Sequence, residues 1–297
     1  MHPRYAESLS EFGRPRFLRA SGGWILERGI PGTDARDAMT CYPLFSCQDW
    51  SRLAEDLEEI GGDLISLVLV TDPFGNYSEA LLQNTFKDLV TRFKEHFVAD
   101  LREGASSFVS RHHQYYAHKA LEKVRIEFCE EPRQMTETWS ALYAGLVARH
   151  ELTGIKAFSQ AAFAKQLSVP GIVMLRSTHE GETVGAHLWY MQGDVALSHL
   201  TASSPRGYEV MAAYALSWTA LEFFSGKMRW IDWGAGAGLN PKASDGLTRF
   251  KRGWSNTTRP AYLCGRIFDQ TKYEELASRN QSSGSNYFPA YRAGELC

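Results

Sequence analysis

A chain of 297 residues, 44% hydrophobic and 22% charged, has enough apolar surface for one large or two small cores, which excludes a disordered or fibrous chain. Its formal net charge of −2 excludes a globally basic nucleic-acid binder and leaves room only for a local basic face. Five cysteines (Cys41, Cys47, Cys129, Cys264, Cys297), odd in number and without a C-x-x-C pair, point to reduced thiols and away from a disulfide framework or zinc knuckle. No apolar run approaches the roughly 18 residues needed to span a bilayer. Residues 1–28 carry charges and prolines where a signal peptide would carry an apolar core. We expect a cytoplasmic protein with no membrane insertion and no metal.

In chain order, residues 17–27 read as a strand, residues 49–60 as a helix and residues 64–70 as a nearly all-apolar strand. That strand stops at Thr71-Asp72-Pro73-Phe74-Gly75, a run of turn residues. Residues 79–103 read as one long helix leading into a charged bridge, residues 110–120. Residues 124–129 alternate apolar and polar as a half-buried strand does, and residues 134–150 and 158–167 have helical period. Residues 171–177, 183–191 and 195–202 read as successive strands, the first two joined by the turn Glu180-Gly181-Glu182. A helix over residues 208–224 and a strand over residues 228–233 follow.

The order β-α-α-β-β-β-α-β from residue 124 onward resembles that of a GNAT acyltransferase domain. The expected fold class is α/β (α+β), with two GNAT-like halves, each a mixed β-sheet flanked by helices. We expect a degenerate N-terminal half in residues 1–121 and the acyltransferase domain in residues 122–297.

Positive charge concentrates near the end of the chain. From Lys242 to Arg266 the cations Lys242, Arg249, Lys251, Arg252, Arg259 and Arg266 face Asp245 alone, a net +5. Within this stretch Lys251 stands among the aromatics Phe250 and Trp254. Burying an ammonium stem there is unfavourable unless an anion or developing negative charge compensates. The segment therefore points to a phosphate or oxyanion contact, with Lys251 as donor to the oxyanion formed when an amine attacks an ester or thioester. The same spacing fits a short amphipathic helix with Leu247, Phe250 and Trp254 on its core side, which would hold the lysine rigid.

Upstream, Asp232-Trp233-Gly234-Ala235-Gly236-Ala237-Gly238 has the look of an S-adenosylmethionine loop. Too little chain follows Gly238 to complete a doubly wound sheet. The glycines read better as a sharp turn that aims the lysine segment. The turn Ser203-Ser204-Pro205-Arg206-Gly207-Tyr208 lies between a strand and a helix start, where unpaired N–H groups can receive a phosphate. A plain capped helix start fits the same residues. His187 and His199 fall on neighbouring strands, and His199, near its strand end, is the better candidate base.

The run DGLTRFKRGW (residues 245–254), preceded by IDWGAGAG, resembles the C-terminal signature of FemAB-type transferases, in which a glycine-rich turn leads to a GLxxFKxGF segment. SRHHQYYAHKAL (residues 110–121) resembles that family's bridge between halves, matched by Arg111, His113 and Lys119-Ala120. YALSWTALEFFSGKMRWIDW resembles its helix followed by a strand, and the resemblance covers residues 110–266. Trp254 stands where the family usually has phenylalanine, and no helical-hairpin arm is evident.

The resemblance implies two GNAT-like halves with the acceptor between them and transfer of an acyl or aminoacyl group to an amine. It puts the catalytic lysine on Lys251, with Phe250 beside it, while His199 is the candidate base from its place near a strand end. Donor contacts fall on Ser203, Ser204, Arg206, Gly207 and Tyr208, and acceptor contacts on Arg111, His113, Phe250, Arg252 and Trp254. The donor would be acyl-CoA (acetyl-CoA) or aminoacyl-tRNA, of which the acceptor end could bind the basic segment. The acceptor would be a small-molecule or nucleotide-linked amine. A non-catalytic ligand-binding protein on the same fold and, more remotely, a methyltransferase are the alternatives.

Overall fold

The computed structural model describes residues 1–238, 245–280, 282 and 285–295, so Lys242 and Cys297 lie outside the described residues. The chain opens with α1 (Pro3–Glu7), β1 (Arg14–Leu18), β2 (Gly23–Gly29) and β3 (Arg36–Thr40). Next come α2 (Leu53–Ile60), β4 (Ser66–Val70), α3 (Glu79–Thr85) and β5 (Leu89–Asp100). The middle of the chain holds α4 (Ala105–Phe108), α5 (Arg111–Leu121), β6 (Arg125–Phe128), α6 (Thr136–His150) and α7 (Gln160–Gln166). Then follow β7 (Val173–His179), β8 (Glu182–Gln192), β9 (Val195–Ser203), α8 (Pro205–Glu209), α9 (Ala212–Phe224) and β10 (Trp230–Asp232). The described chain closes with α10 (Gly246–Arg252), β11 (Thr257–Ile267) and α11 (Gln270–Arg279).

These elements make two compact units, one of Met1–Lys94 with Pro260–Cys297 and the other of Glu95–Arg259. The boundaries differ from the cut expected after residue 121. Residues 95–121 join the second unit because β5 pairs with β10 and α5 packs on α9. The end of the chain returns to the first unit because β11 pairs with β4.

In the first unit β1, β2 and β3 form an antiparallel meander, β3 runs parallel to β4, and β4 pairs antiparallel with β11. The strand expected over residues 17–27 is a hairpin instead. Leu18 pairs with Gly23, and Gly22 turns the chain at φ +73°. Leu53, Leu57 and Ile60 of α2 pack on Ile25, Leu67 and Leu69, as the three- and four-residue spacing requires.

The helix expected over residues 79–103 ends after two turns. Ser78 caps its start by accepting from Leu81 N, and Phe86 is already extended. From Leu89 the chain is a twelve-residue strand. Val90, Thr91, Phe93, Phe97 and Val98 are β-branched or aromatic, and β10 pairs with Val98, Ala99 and Asp100. Apolar spacing here fitted both periods, and the available partner strand decided between them. Neither periodicity nor composition marks the five residues of β3.

In the second unit the sheet order is β5-β10-β9-β8-β7-β6. All neighbours are antiparallel except β9 and β10. Helix α9 covers one face, its Leu216, Ala220, Leu221 and Phe224 packing on Leu175, Trp189, Ala196 and Ile231. Helix α6 lies against β8 and β9. The helix expected from Tyr208 is broken at Met211, which takes a left-handed φ of 59° between α8 and α9.

Two departures from regularity open the sheet. The β8–β9 register slips between Leu188 and Trp189, whose partners are Leu200 and Ser198, leaving His199 as the extra residue of a bulge. The parallel pairing of β9 with β10 covers only Trp230–Asp232 against Val195–Leu197. Beyond Leu197 the ladder between β9 and β10 stops.

Candidate active site

The site is built at the end of β10. Asp232 is buried, and its Oδ1 accepts from Gly234 N at 2.7 Å, closing a turn in which Gly234 has φ +77°. Lys251 Nζ, from α10, donates to Ala235 O of that turn at 2.7 Å. A Cβ on Gly234 would stand 3.0 Å from Lys251 Nζ, so the glycine serves both the left-handed backbone and the approach of the ammonium. The glycine run is thus the turn that receives the lysine. It does not open a doubly wound sheet, because β10 has one parallel and one antiparallel neighbour.

Helix α10 is fixed at both ends. Asp245 caps its start, accepting from Leu247 N at 2.9 Å and Thr248 N at 3.2 Å. At the other end Trp254 is fully buried, and Trp233 Nε1 donates to Trp254 O at 3.0 Å. His113 Nε2 donates to Phe250 O at 2.9 Å, while its Nδ1 accepts from Ser110 Oγ at 2.7 Å. Burial lowers the pKa of this imidazole, in keeping with the neutral form that such bonding needs. Leu247, expected on the core side, is 42% exposed, so the packed face of the helix rests on Phe250 and the following Trp254.

Lys251 also acts through space. His187, buried and bonded through Nε2 to Ser198 Oγ at 2.8 Å, has its pKa brought down to about 3, first by burial and then by the Lys251 charge. Its Nδ1 is buried without a partner among the described residues. Burial likewise brings His199 to about 3. The His199 ring lies 5.0 Å from that of Tyr190, and its Nε2 faces Gln166 Oε1 at 3.4 Å. Such surroundings disfavour the proton that His199 would have to carry as a base.

The remaining expected residues separate into two groups. Ser203, Ser204 and Tyr208 line a cavity of about 410 Å³ together with Thr138, Leu142 and Arg149 of α6. Arg149 stacks its guanidinium over the Tyr208 ring at 4.1 Å. Arg206 instead pairs with Glu209 at 2.7 Å and meets His179 Nε2 at 3.0 Å. Gly207 is a packing glycine, since a Cβ there would lie 2.1 Å from Val184 O. On the acceptor side Arg111 and Arg252 are exposed and Phe250 is half-buried. His113 and Trp254 are buried supports of α10, a correction to their expected role in touching the acceptor.

Sequence reasoning missed Arg149 and the buried pair of His96 and Asp232, whose atoms approach to 2.9 Å. A basic residue in the last turn of α6 was the available hint for the first. His96 and Asp232 are 136 residues apart, and nothing local links them. Among the described residues no cluster of three or more His, Cys, Asp or Glu side chains could hold a metal. No described helix is long and apolar enough to cross a membrane.

A sheet whose parallel neighbours part after three residues, with a bulged strand and a following short helix beside a cavity, is the architecture of a GNAT acyltransferase. The family description "Acetyltransferase (GNAT) domain" matches residues 109–252. Among solved structures the chain resembles FemX, with a TM-score of 0.65 at 12% identity over 92% of this chain and 93% of that one. It also resembles L-PGS from Bacillus licheniformis, with a TM-score of 0.63 at 16% identity over 89% and 92%. A third resemblance is to the C-terminal domain of a putative lysylphosphatidylglycerol synthetase from Agrobacterium fabrum, with a TM-score of 0.63 at 12% identity over 93% and 90%. No curated protein matches the sequence. Residues 109–252 thus match the GNAT acetyltransferase domain, and the chain as a whole shares the fold of FemX.

Proposed function

We propose that the protein is an N-acyltransferase that moves an acyl or aminoacyl group from an activated donor to an amine, with Lys251 as donor to the reaction's oxyanion. The observation that carries the reading is the placement of Lys251 Nζ on Ala235 O, at the end of β10 beyond its pairing with β9. An ammonium has three N–H donors. Its charge, held on a helix anchored at both ends, is preorganised for negative charge developing on a carbonyl oxygen.

In this reading the cavity bearing Ser203, Ser204, Tyr208 and Arg149 takes the donor's phosphate-bearing portion, and Arg149 supplies the positive charge. Arg111, Arg252 and Phe250 meet the acceptor or the acceptor end of a tRNA. Acyl-CoA and aminoacyl-tRNA both satisfy the chemistry, and with either donor the enzyme would work in the cytoplasm. We further propose that the two compact units correspond to the two GNAT-like halves, the first a degenerate copy.

The test is Lys251→Ala, assayed for amide formation with acetyl-CoA and, separately, with charged total tRNA. The expected outcome is a kcat lowered about 10²–10³-fold, or about 3–4 kcal/mol of transition-state stabilisation, with little change in thermal unfolding. Full turnover by a correctly folded variant would remove the assignment. Donor binding at two salt concentrations separates the candidates, because tRNA affinity falls steeply with salt.

A further inference from the structure

The buried histidines of the second unit differ in how their ring nitrogens are used. His113 bonds with both, to Phe250 O and Ser110 Oγ. His187 uses Nε2 for Ser198, and its other nitrogen is sealed. His96 gives Nδ1 to the Asp232 carboxylate, at 2.9 Å from Oδ2 and 3.0 Å from Oδ1. Its Nε2 has no hydrogen-bond partner among the described residues, and its side chain keeps 8% of its surface. A carboxylate that holds Nδ1–H fixes the tautomer in which Nε2 carries the lone pair.

Asp232 also binds His96 and Lys251 to one piece of backbone. Its Oδ1 accepts from Gly234 N, Phe97 N donates to Gly234 O at 3.1 Å, and Lys251 Nζ donates to the next carbonyl, that of Ala235. The histidine on β5 and the lysine on α10 are thereby held on the same turn. The titratable groups around that turn are Asp232 on β10, Lys251 on α10 and His187 on β8, with exposed Glu95 beside His96 on its own strand.

We propose that His96 is the general base of this enzyme, taking a proton from the acceptor amine, and that Asp232 is its positioning residue. This assignment rests on the acyltransfer reading given above. The acceptor ammonium gives one proton to His96 Nε2. The neutral amine then forms the N–C bond as the carbonyl electron pair moves to oxygen beside Lys251. On collapse the bond from carbon to the leaving group breaks, and that group departs with the bonding pair and the second proton of the nitrogen. The imidazolium finally returns its proton to water.

His96→Gln and Asp232→Asn are compared with the wild-type chain, using acetyl-CoA or charged total tRNA as donor and free lysine, a lysyl peptide and glucosamine as acceptors. The pH is varied from about 6 to about 9.5. His96→Gln is expected to lower kcat/KM about 10²–10⁴-fold, with a residual rate that climbs with pH as the amine deprotonates unaided. Asp232→Asn should lower it less and displace the acid limb. A folded His96→Gln enzyme within about threefold of wild type at every pH overturns the assignment while leaving the acyltransfer reading intact. Absence of turnover by the wild type with every pair of substrates overturns both. Long-range ¹H–¹⁵N spectra of the wild-type imidazoles need no variant: the expected signal for His96 is an Nδ1–H tautomer with bare Nε2, and an Nε2–H tautomer refutes the proposal.

Discussion

Gly253→Ala tests whether the His113 clamp is what aims Lys251. A Cβ at Gly253 would lie 2.0 Å from His113 Cε1 and 2.3 Å from both ring nitrogens, far inside contact distance. The ring cannot retreat without leaving Phe250 O and Ser110 Oγ, the two bonds that satisfy it. Overpacking of this kind typically costs about 1–3 kcal/mol, and loss of a buried hydrogen bond adds about 1–3 kcal/mol for the group left unpaired. We therefore expect Gly253→Ala to cost about 3 kcal/mol, read as a lower urea midpoint with unchanged slope. Its kcat should fall as the end of α10 shifts, with donor affinity preserved. The decisive assay is the double-mutant cycle with His113→Ala, which removes the ring. In that background the cost of the added methyl should shrink to below about 1 kcal/mol, a large non-additivity between contacting residues. Additive costs would show that the clamp has been misidentified.

Arg149→Ala should raise the KM for the donor about tenfold while leaving kcat nearly unchanged, as loss of uniform binding does. A steady-state series in donor concentration checks it, and an unaltered KM would sever Arg149 from the donor. Acid stability supplies another prediction. His187 and His199 are held near 3, against an ordinary value of 6.5. The unfolded chain therefore binds more protons than the folded one between those values. The stability present above about pH 6.5 should decline as pH falls toward about 3. Urea midpoints at several pH values measure it, and His187→Gln should flatten the decline if the variant folds.

Much of the second unit was legible in the chain. Residues 124–129 alternate with period two, residues 183–191 read as a strand, and residues 134–150 carry helical spacing. The structure places β6, β8 and α6 there. The FKxG-like run also announced Lys251 and the helix that carries it, because the cap Asp245 and the aromatics Phe250 and Trp254 are local signals. Trp254 and His113, expected among the acceptor contacts, are both buried. Aromatic and imidazole rings suit a ligand surface and a core equally well, and burial alone separates the two.

The sequence by itself determined the strands and the first helices from residue 124 onward, the glycine turn after β10 and the helix that presents Lys251. Those features rest on propensity, period and capping, which act over a few residues. Tertiary structure decided that residues 89–100 form a strand, because β10 supplies a partner for its backbone at Val98, Ala99 and Asp100. It also decided that Arg149 stacks on Tyr208, and that His96 meets Asp232 across 136 residues of chain. Such pairings depend on which strands and helices become neighbours, and no short-range preference of either residue encodes that choice.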